Sequence, residues 1–379
     1  MSTIETVADT RMRIVCNRDE LAEKLQVVGR GVSTRTTVQI LAGIMLRATG
    51  ERLMLSATDM EISLRLGLDA QVEEEGSVVV PGRLLVDIVR LLPAGEVTIA
   101  HAAGEGLVEL TCGSASYKLH TYAAEDFPRL PEIDEETTFT VDRDAFLDTI
   151  ARVSRSASRD ESRPVLTGIL VRFEGGKLVM AATDSYRLSV KETTLADAPG
   201  QELEAIVPAR ALSELARIAQ GIVADTIEVG VRENQVIFGT DGIWLTARRI
   251  DGQFPNYKQL VPETFEAEVP MPRDEFLDVV RRTAVMAQRK SPLRLRFAEG
   301  EVTISAETQD VGQARESLPV PYAGEAMEIG FNAEFLRDGL ESVPEDTVRF
   351  RLISPLRPGL IQGEGDDFLY LIMPIRLAG

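Results

Sequence analysis

The chain has 379 residues, of which 44% are hydrophobic and 27% charged, a composition that suits on the order of two or three cored domains and excludes a disordered chain. No apolar run approaches the ~18 residues a membrane-spanning helix needs, and the opening MSTIETVADTRMRIV lacks the basic and then apolar blocks of a secretory signal. With 60 acidic against 41 basic side chains the net charge is -19, which taken alone argues against a nucleic-acid partner.

Residues 1–10 form an N-terminal extension ahead of the first recognisable element. A helix is predicted over 17–30 (NRDELAEKLQVVGR), with Asn17 as its N-cap. Residues 53–61 (LMLSATDME) alternate apolar and polar and end in a polar turn, which reads as a strand. Residues 78–92 (VVVPGRLLVDIVRLL) read as a strand and then a helix, with Pro81 in the first turn, where its missing N–H has no partner in any case. A strand SYKLHTY and a Pro-rich exit, EDFPRLPE at 125–132, complete the series.

The series then returns. Its second copy runs from a helix capped by Asp142 (DRDAFLDTIARVSR) through LVMAATDSY at 178–186 and AIVPARALSELARIA at 205–219, with Pro208 at the helix start, to the exit GQFPNYKQLVPE at 252–263. The third runs from PRDEFLDVVRRTAV, with Pro272 in its first turn, through VTISAETQD at 302–310 to EIGFNAEFLRDGLES at 328–342. Thr58, Thr183 and Thr308 lie 125 residues apart at each step. Landmarks in one order at one period predict an α+β chain of three tandem similar domains, 11–133, 137–262 and 265–377, each with two helices and about eight strands.

Catalytic chemistry is poorly provided for. His101 and His120 are the only histidines, no phosphate-binding or zinc-protease motif is present, and Cys16 and Cys112 have neither metal nor redox spacing, so a non-enzyme in a reducing cytoplasm without metal or cofactor is expected. The alternative is a metal-dependent hydrolase built on Asp59, Asp184 and Asp310 in the repeated turns, although carboxylates there are more often turn formers.

The charge is unevenly divided. Segments 18–35, 143–163 and 273–294 hold 15 basic and 10 acidic residues, a surplus of 5, which leaves -24 for the rest. Acids crowd the helix starts, and matching of the helix dipole explains part of this pattern. The recurrence of Arg30 and Arg35, of Arg152, Arg155, Arg159 and Arg163, and of Arg282 and Arg289 predicts a repeated basic surface, to which the second helices add Arg83, Arg210 and Arg217. Its partner would be a long polyanion held through phosphates.

The threefold repeat, RPVLTGIL at 163–170, AATDSYRL at 181–188, DGQFPNYKQLVP at 251–262 and the terminal LYLIMPIRL at 369–377 together resemble the bacterial β sliding clamps, the processivity subunits of DNA polymerase III. The resemblance covers residues 12–377. It implies a DNA clamp fold and a head-to-tail homodimer closing into a ring around double-stranded DNA, without sequence preference. It also implies tethering of the polymerase III catalytic subunit, the clamp loader, repair polymerases and other clamp-motif proteins. The partner-peptide pocket it implies is lined by Leu166, Thr183, Tyr186, Arg187, Leu188, Pro255, Leu371, Met373, Pro374, Ile375 and Arg376, and the dimer contact by Tyr117, Leu119, Val285 and Met286. Gln259 departs from the arginine that some members carry, and Leu356 and Arg357 are rim candidates only.

Overall fold

The computed structural model describes residues 11–377 apart from 34–35, 103, 131–137, 196–201, 233, 288–290, 309–310 and 366. Along β1 (Met12–Asn17) the residues Met12, Ile14 and Cys16 alternate inward, and Asn17 ends the strand by capping α1 (Arg18–Val28). Its side-chain oxygen accepts from the N–H groups of Asp19 and Glu20 at 2.9 and 3.1 Å. Leu21, Leu25 and Val28, spaced as one helical stripe, are the residues α1 buries.

The first repeat continues with β2 (Gly43–Thr49), β3 (Arg52–Thr58), β4 (Ile62–Asp69), β5 (Gln71–Glu74), β6 (Gly76–Pro81), α2 (Gly82–Leu91), β7 (Glu96–His101), β8 (Leu107–Cys112) and β9 (Ala115–His120). The second comprises β10 (Phe139–Asp142), α3 (Arg143–Val153), a short α4 (Pro164–Thr167), β11 (Gly168–Glu174), β12 (Lys177–Thr183), β13 (Arg187–Thr194), β14 (Leu203–Pro208), α5 (Ala209–Ala219), β15 (Thr226–Arg232), β16 (Gln235–Thr240) and β17 (Ile243–Arg248). The third comprises β18 (Ala267–Pro272), α6 (Arg273–Ala284), β19 (Leu293–Ala298), β20 (Glu301–Thr308), β21 (Gly312–Pro319), β22 (Met327–Phe331), α7 (Ala333–Glu341), β23 (Thr347–Leu352), β24 (Gly359–Gln362) and β25 (Phe368–Ile372). The repeats thus share one order of elements, apart from the short α4 of the second and an extra strand of the first, β5, which pairs with β1. Among the described residues no helix is long and apolar enough to cross a membrane.

The prolines stand one step earlier than expected. Pro81 and Pro272 are the last residues of β6 and β18 and the N-cap residues of α2 and α6, and Pro208 closes β14. Each finishes a strand before the helix begins, so its fixed φ serves the strand end. Pro81 and Pro208 lie opposite Gly43 and Gly168, where a Cβ would stand 2.4 Å from Val79 and 2.5 Å from Ile206; only glycine admits so close an approach.

The chain forms two compact units that cut the second repeat in half. The first, residues 1–143 and 214–249, holds a five-stranded sheet ordered β5-β1-β7-β8-β9 and an eight-stranded sheet ordered β10-β15-β16-β17-β4-β3-β2-β6. The second, residues 144–213 and 250–379, holds an eight-stranded sheet ordered β14-β11-β12-β13-β25-β24-β23-β18 and a four-stranded sheet ordered β21-β20-β19-β22. In the second unit α6 buries Phe276, Val280 and Thr283 on one stripe. Phe276, Phe297 and Phe331 surround Phe350 at centroid distances of 6.4, 6.1 and 5.6 Å.

Each eight-stranded sheet joins two repeats edge to edge in one register. The β4–β17 junction pairs Ile62 with Ala247, and the β13–β25 junction pairs Arg187 with Ile372, both partners having moved on by 125 residues. The corresponding strands of the outermost repeats, β9 and β21, are edges of their sheets. Such edges are open templates for another strand.

Candidate functional site

The repeated ATD segments build the same turn twice. In the first, Thr58 Oγ1 donates to the Ile62 carbonyl at 2.8 Å and accepts from the Met60 N–H, while Asp59 Oδ1 accepts from the N–H groups of Glu61 and Ile62. In the second, Thr183 Oγ1 donates to the Arg187 carbonyl at 2.7 Å and accepts from the Ser185 N–H, while Asp184 Oδ1 accepts from the N–H groups of Tyr186 and Arg187. Met60 and Ser185 occupy the left-handed region at φ 77 and 79, which these side-chain bonds hold in place. The carboxylates are thus turn formers. In the third repeat Thr308 donates instead to the Met286 carbonyl at 2.7 Å, and Asp310 lies outside the described residues.

Around the second turn the structure gathers most of the sequence-predicted pocket, all within the second compact unit. Leu188 pairs with Leu371 across the β13–β25 junction, and the Met373 N–H donates to the Tyr186 carbonyl at 2.8 Å. Leu188 and Leu371 belong to a buried cluster with Leu170, Leu360 and Tyr257, against which Val165 and Phe254 pack; these flank Leu166 and Pro255. Arg163 Nη1 donates to Ser185 Oγ at 3.0 Å and ties the start of α4, which carries Leu166, to the turn. Tyr186 and Met373 are 61% and 41% exposed, so two large apolar side chains stand open to solvent beside a packed floor.

Other predicted members are placed differently. Ile375 N–H donates to the Gly330 carbonyl at 2.7 Å, and Ile375 lines a neighbouring cleft of about 460 Å³ with Val280, Ala284, Asn332 and Arg337. Pro374 is half-buried, Arg376 exposed. Arg187 is directed inward: its side chain is 8% exposed and lies 4.2 Å over the Phe335 ring. Its Nε donates to Asp184 Oδ2 at 3.1 Å, and its Nη1 to Asp338 Oδ2 at 2.5 Å and to the Tyr370 hydroxyl at 3.5 Å. Burial opposes this charge, yet Tyr370, Asp338 and Asp184 outweigh it and push the guanidinium pKa up. Leaving such a buried charge unpaired costs on the order of 3–5 kcal/mol. Asp338, Phe335 and Tyr370, and Leu260, exposed on the turn whose Tyr257 joins the floor, were missed from sequence. Only the exit motif and its apolar Leu260 gave any signal.

Many of the basic residues are engaged with carboxylates. Arg30 and Arg217 share Glu214 at 3.1 and 2.6 Å, Arg163 meets Asp160 at 3.3 Å, Arg282 meets Glu316 at 2.6 Å, and Arg155 is bonded to Glu341. Partly exposed pairs of this kind are worth about 0–1 kcal/mol and yield readily to a phosphate. Arg83 and Arg159 are exposed, with no carboxylate partner among the described residues; Arg210 is also exposed. Arg152 departs from the expectation of an exposed basic surface: its side chain is 14% exposed, bonded to Asp148 at 2.8 Å and lies over the Phe368 ring, so little of it is open to solvent. Arg35 and Arg289 lie outside the described residues.

The predicted dimer residues sit at the two open sheet edges. Tyr117 is exposed on β9, whereas Leu119, two residues further along the same face and opposite Val108, is buried within its own chain, contrary to expectation. Met286 reaches β21: a Cβ on Gly312 would stand 3.0 Å from Met286 Cε. Val285, at the end of α6, is exposed.

Comparison with known proteins agrees with this architecture. The N-terminal, central and C-terminal domain models of the DNA polymerase III beta subunit match residues 12–131, 140–256 and 258–376. The beta sliding clamp of Streptomyces coelicolor is 35% identical over 379 residues, covering 97% of this chain and all of the relative. Among solved structures, the C. crescentus beta sliding clamp, with polyethylene glycol bound at a region proposed for β-motif tethering, superposes with a TM-score of 0.90 at 29% identity, covering 98% of this chain and all of the other. The Pseudomonas aeruginosa sliding clamp bound to griselimycin gives 0.88 at 29% identity, covering 97% and 100%. Three family models matched in tandem on three repeats of one fold establish that the chain belongs to the DNA polymerase III beta subunit family, the beta sliding clamps.

Proposed function

We propose that two copies close head to tail into a ring around double-stranded DNA and tether the polymerase III catalytic subunit, the clamp loader, repair polymerases and other clamp-motif proteins through the pocket of Tyr186, Leu188, Leu371 and Met373. The three domains are bounded near residues 133–137 and 262–265. The observation that carries the ring is the repeated junction: β4–β17 and β13–β25 share one register, and β21 and β9 are left to make the same junction between copies. Tyr117, Val285 and Met286 supply apolar area beside those edges.

A ring holds DNA by topology, so phosphate contact need only be weak. The surplus of 5 on three helical segments against -24 elsewhere suits a protein that surrounds DNA without coating it. Exposed Arg83, Arg159 and Arg210, with the paired Arg30, Arg155, Arg163, Arg217 and Arg282, form the phosphate-facing set. The protein works in the cytoplasm and carries no catalytic step of its own; the engagement of Asp59 and Asp184 with turn amides supports this reading over the hydrolase alternative.

The test combines solution mass with retention on DNA. A dimer should persist on a nicked circular plasmid after loading and be lost once the circle is linearised. Equal retention on both would exclude the topological hold. A metal-dependent nuclease activity abolished by Asp184→Ala would favour the alternative.

A further inference from the structure

We infer that Asp338 on α7 is a positioning residue for the peptide pocket, acting through the buried guanidinium of Arg187. The inference rests on the pocket assignment above and adds a residue that does not line it. Arg187 is the last residue of the turn that presents Tyr186, and its backbone carries the bonds that shape the turn: its carbonyl accepts from Thr183 Oγ1 and its N–H donates to Asp184 Oδ1. Its side chain leaves the turn for the third repeat, where Asp338 Oδ2 receives Nη1 at 2.5 Å and the Phe335 ring lies beneath the guanidinium.

The anchor is itself held from several sides. Tyr370, on the strand next to β13, donates its hydroxyl to the Phe335 carbonyl at 2.7 Å, which fixes the start of α7 against β25. Arg337 and Arg155 stand 3.5 and 3.8 Å from Asp338 Oδ1, so the oxygen that Arg187 leaves free also faces cations. One carboxylate therefore fixes where the β13 turn sits against α7 and β25, and the Met373 N–H meets Tyr186 across that arrangement.

The equivalent turn of the first repeat ends in Ile62, which is buried and has no charge to anchor. An arginine at this position therefore answers no need of the turn itself. Its demand for a buried anion is met by Asp338 and Asp184, and an arginine so held has little freedom. A pocket wall fixed in this way binds its ligand without first having to order the wall.

The test titrates a fluorescein-labelled C-terminal tail peptide of the polymerase III catalytic subunit onto the full chain by anisotropy, with griselimycin as an unlabelled competitor. Four proteins are compared: the parent, Tyr186→Ala, Asp338→Asn and Asp338→Glu. Asparagine keeps the volume and removes the charge, so a role in packing alone predicts parental affinity. Positioning predicts a loss of about tenfold for Asp338→Asn and recovery to within about threefold of the parent for Asp338→Glu, which restores the anion. Parental affinity in Asp338→Asn together with weakened Tyr186→Ala overturns the positioning role. Parental affinity in Tyr186→Ala overturns the pocket assignment, and this inference with it. Should Asp338→Asn fail to fold, Tyr370→Phe takes its place; it removes the hydroxyl shared by Arg187 and the Phe335 carbonyl, and an affinity equal to the parent's refutes the inference equally.

Discussion

A cysteine pair can test the proposed junction between copies at single-residue resolution. Ser63 and Leu188 lie opposite Thr58 and Thr183 in their hairpins, and Gly312 lies opposite Thr308, which makes Gly312 their counterpart. The hairpins closing at Thr240–Ile243 and Cys112–Ala115 likewise make Tyr117 the counterpart of Leu245. Since Leu64 pairs with Leu245, transfer of the register puts Gln313 of one copy opposite Tyr117 of the other. Directly opposed antiparallel residues have Cα atoms roughly 4.5–5.5 Å apart, inside the ~4.4–6.8 Å that a disulfide spans. Arg315, two residues further along the same face, is displaced by about 7 Å and would stand about 8 Å away, out of reach. Tyr117→Cys combined with Gln313→Cys should therefore yield a covalent dimer on non-reducing gels after mild oxidation at pH 8, and Tyr117→Cys with Arg315→Cys should not. Native thiols offer little competition: burial, with help from Glu20, pushes the Cys16 thiol up to about 12, and Cys112 is buried. A cross-link that favours residue 315 would refute the transferred register, and a monomeric mass with neither link would refute the edge assignment.

The basic surface makes a graded prediction. Arg83→Glu and Arg159→Glu should each lower DNA-stimulated loading and flatten its salt dependence by about 0.9 in logarithmic slope, whereas Arg152→Glu should lower the melting temperature and leave the slope alone. An unchanged slope in the first two would make them ordinary helix surface. Deleting residues from Met373 onward should abolish binding of the polymerase-tail peptide and leave the solution mass dimeric, since the tail's bonds run to Tyr186 and Gly330 and not to β9 or β21. Retained affinity would displace the pocket. Burial works to raise the Glu341 carboxyl, but hydrogen bonds from Arg155 and Arg281 outweigh it and hold it below the usual carboxylate range. A lowered folded pKa contributes stability above the unfolded value near 4.5 that is lost as pH falls through the folded value, so the melting temperature should drop more steeply below pH 4.5 in the parent than in Glu341→Gln. Parallel curves would show that the pair contributes nothing.

What could be read from the sequence was local or repeated. Asn17 announced its helix because capping needs only the two N–H groups that follow it, and the ATD turns were visible because each closes within five residues. Leu119 was assigned to the interface together with Tyr117 because the two share one face of β9, and alternation alone does not show that only Leu119 is covered by its own chain. Arg152 could not have been placed: its helical spacing matches the other arginines, and the Phe368 ring over which its guanidinium lies is more than 200 residues away. Asp338 was hidden for the same reason, since nothing in its own helix reveals that an arginine 151 residues earlier needs a counter-ion. The extra strand β5 is a short QVEE run with one apolar residue, too weak a pattern to separate from a turn.

The two ATD turns also explain why the pocket is expected at one junction and not at both. Their backbones match down to the bond that closes them: Arg248 N–H donates to the Glu61 carbonyl at 2.9 Å as Met373 N–H does to Tyr186 at 2.8 Å. Their linings do not match. Where the second junction pairs Leu188 with Leu371, the first pairs Ser63 with Thr246, and in place of Tyr186 and Met373 it offers Glu61 and Arg248. Leu188 and Leu371 are already buried, so the area a ligand can cover is that of Tyr186 and Met373; at about 1.5–3 kcal/mol for each large apolar side chain, exchanging the two for glutamate and arginine removes on the order of 3 kcal/mol of attraction for an apolar ligand. At about 1.4 kcal/mol per factor of ten, this weakens binding by about a hundredfold. The duplicated turn is therefore a scaffold that positions a junction, and the exposed Tyr186 and Met373 decide whether the junction binds a peptide.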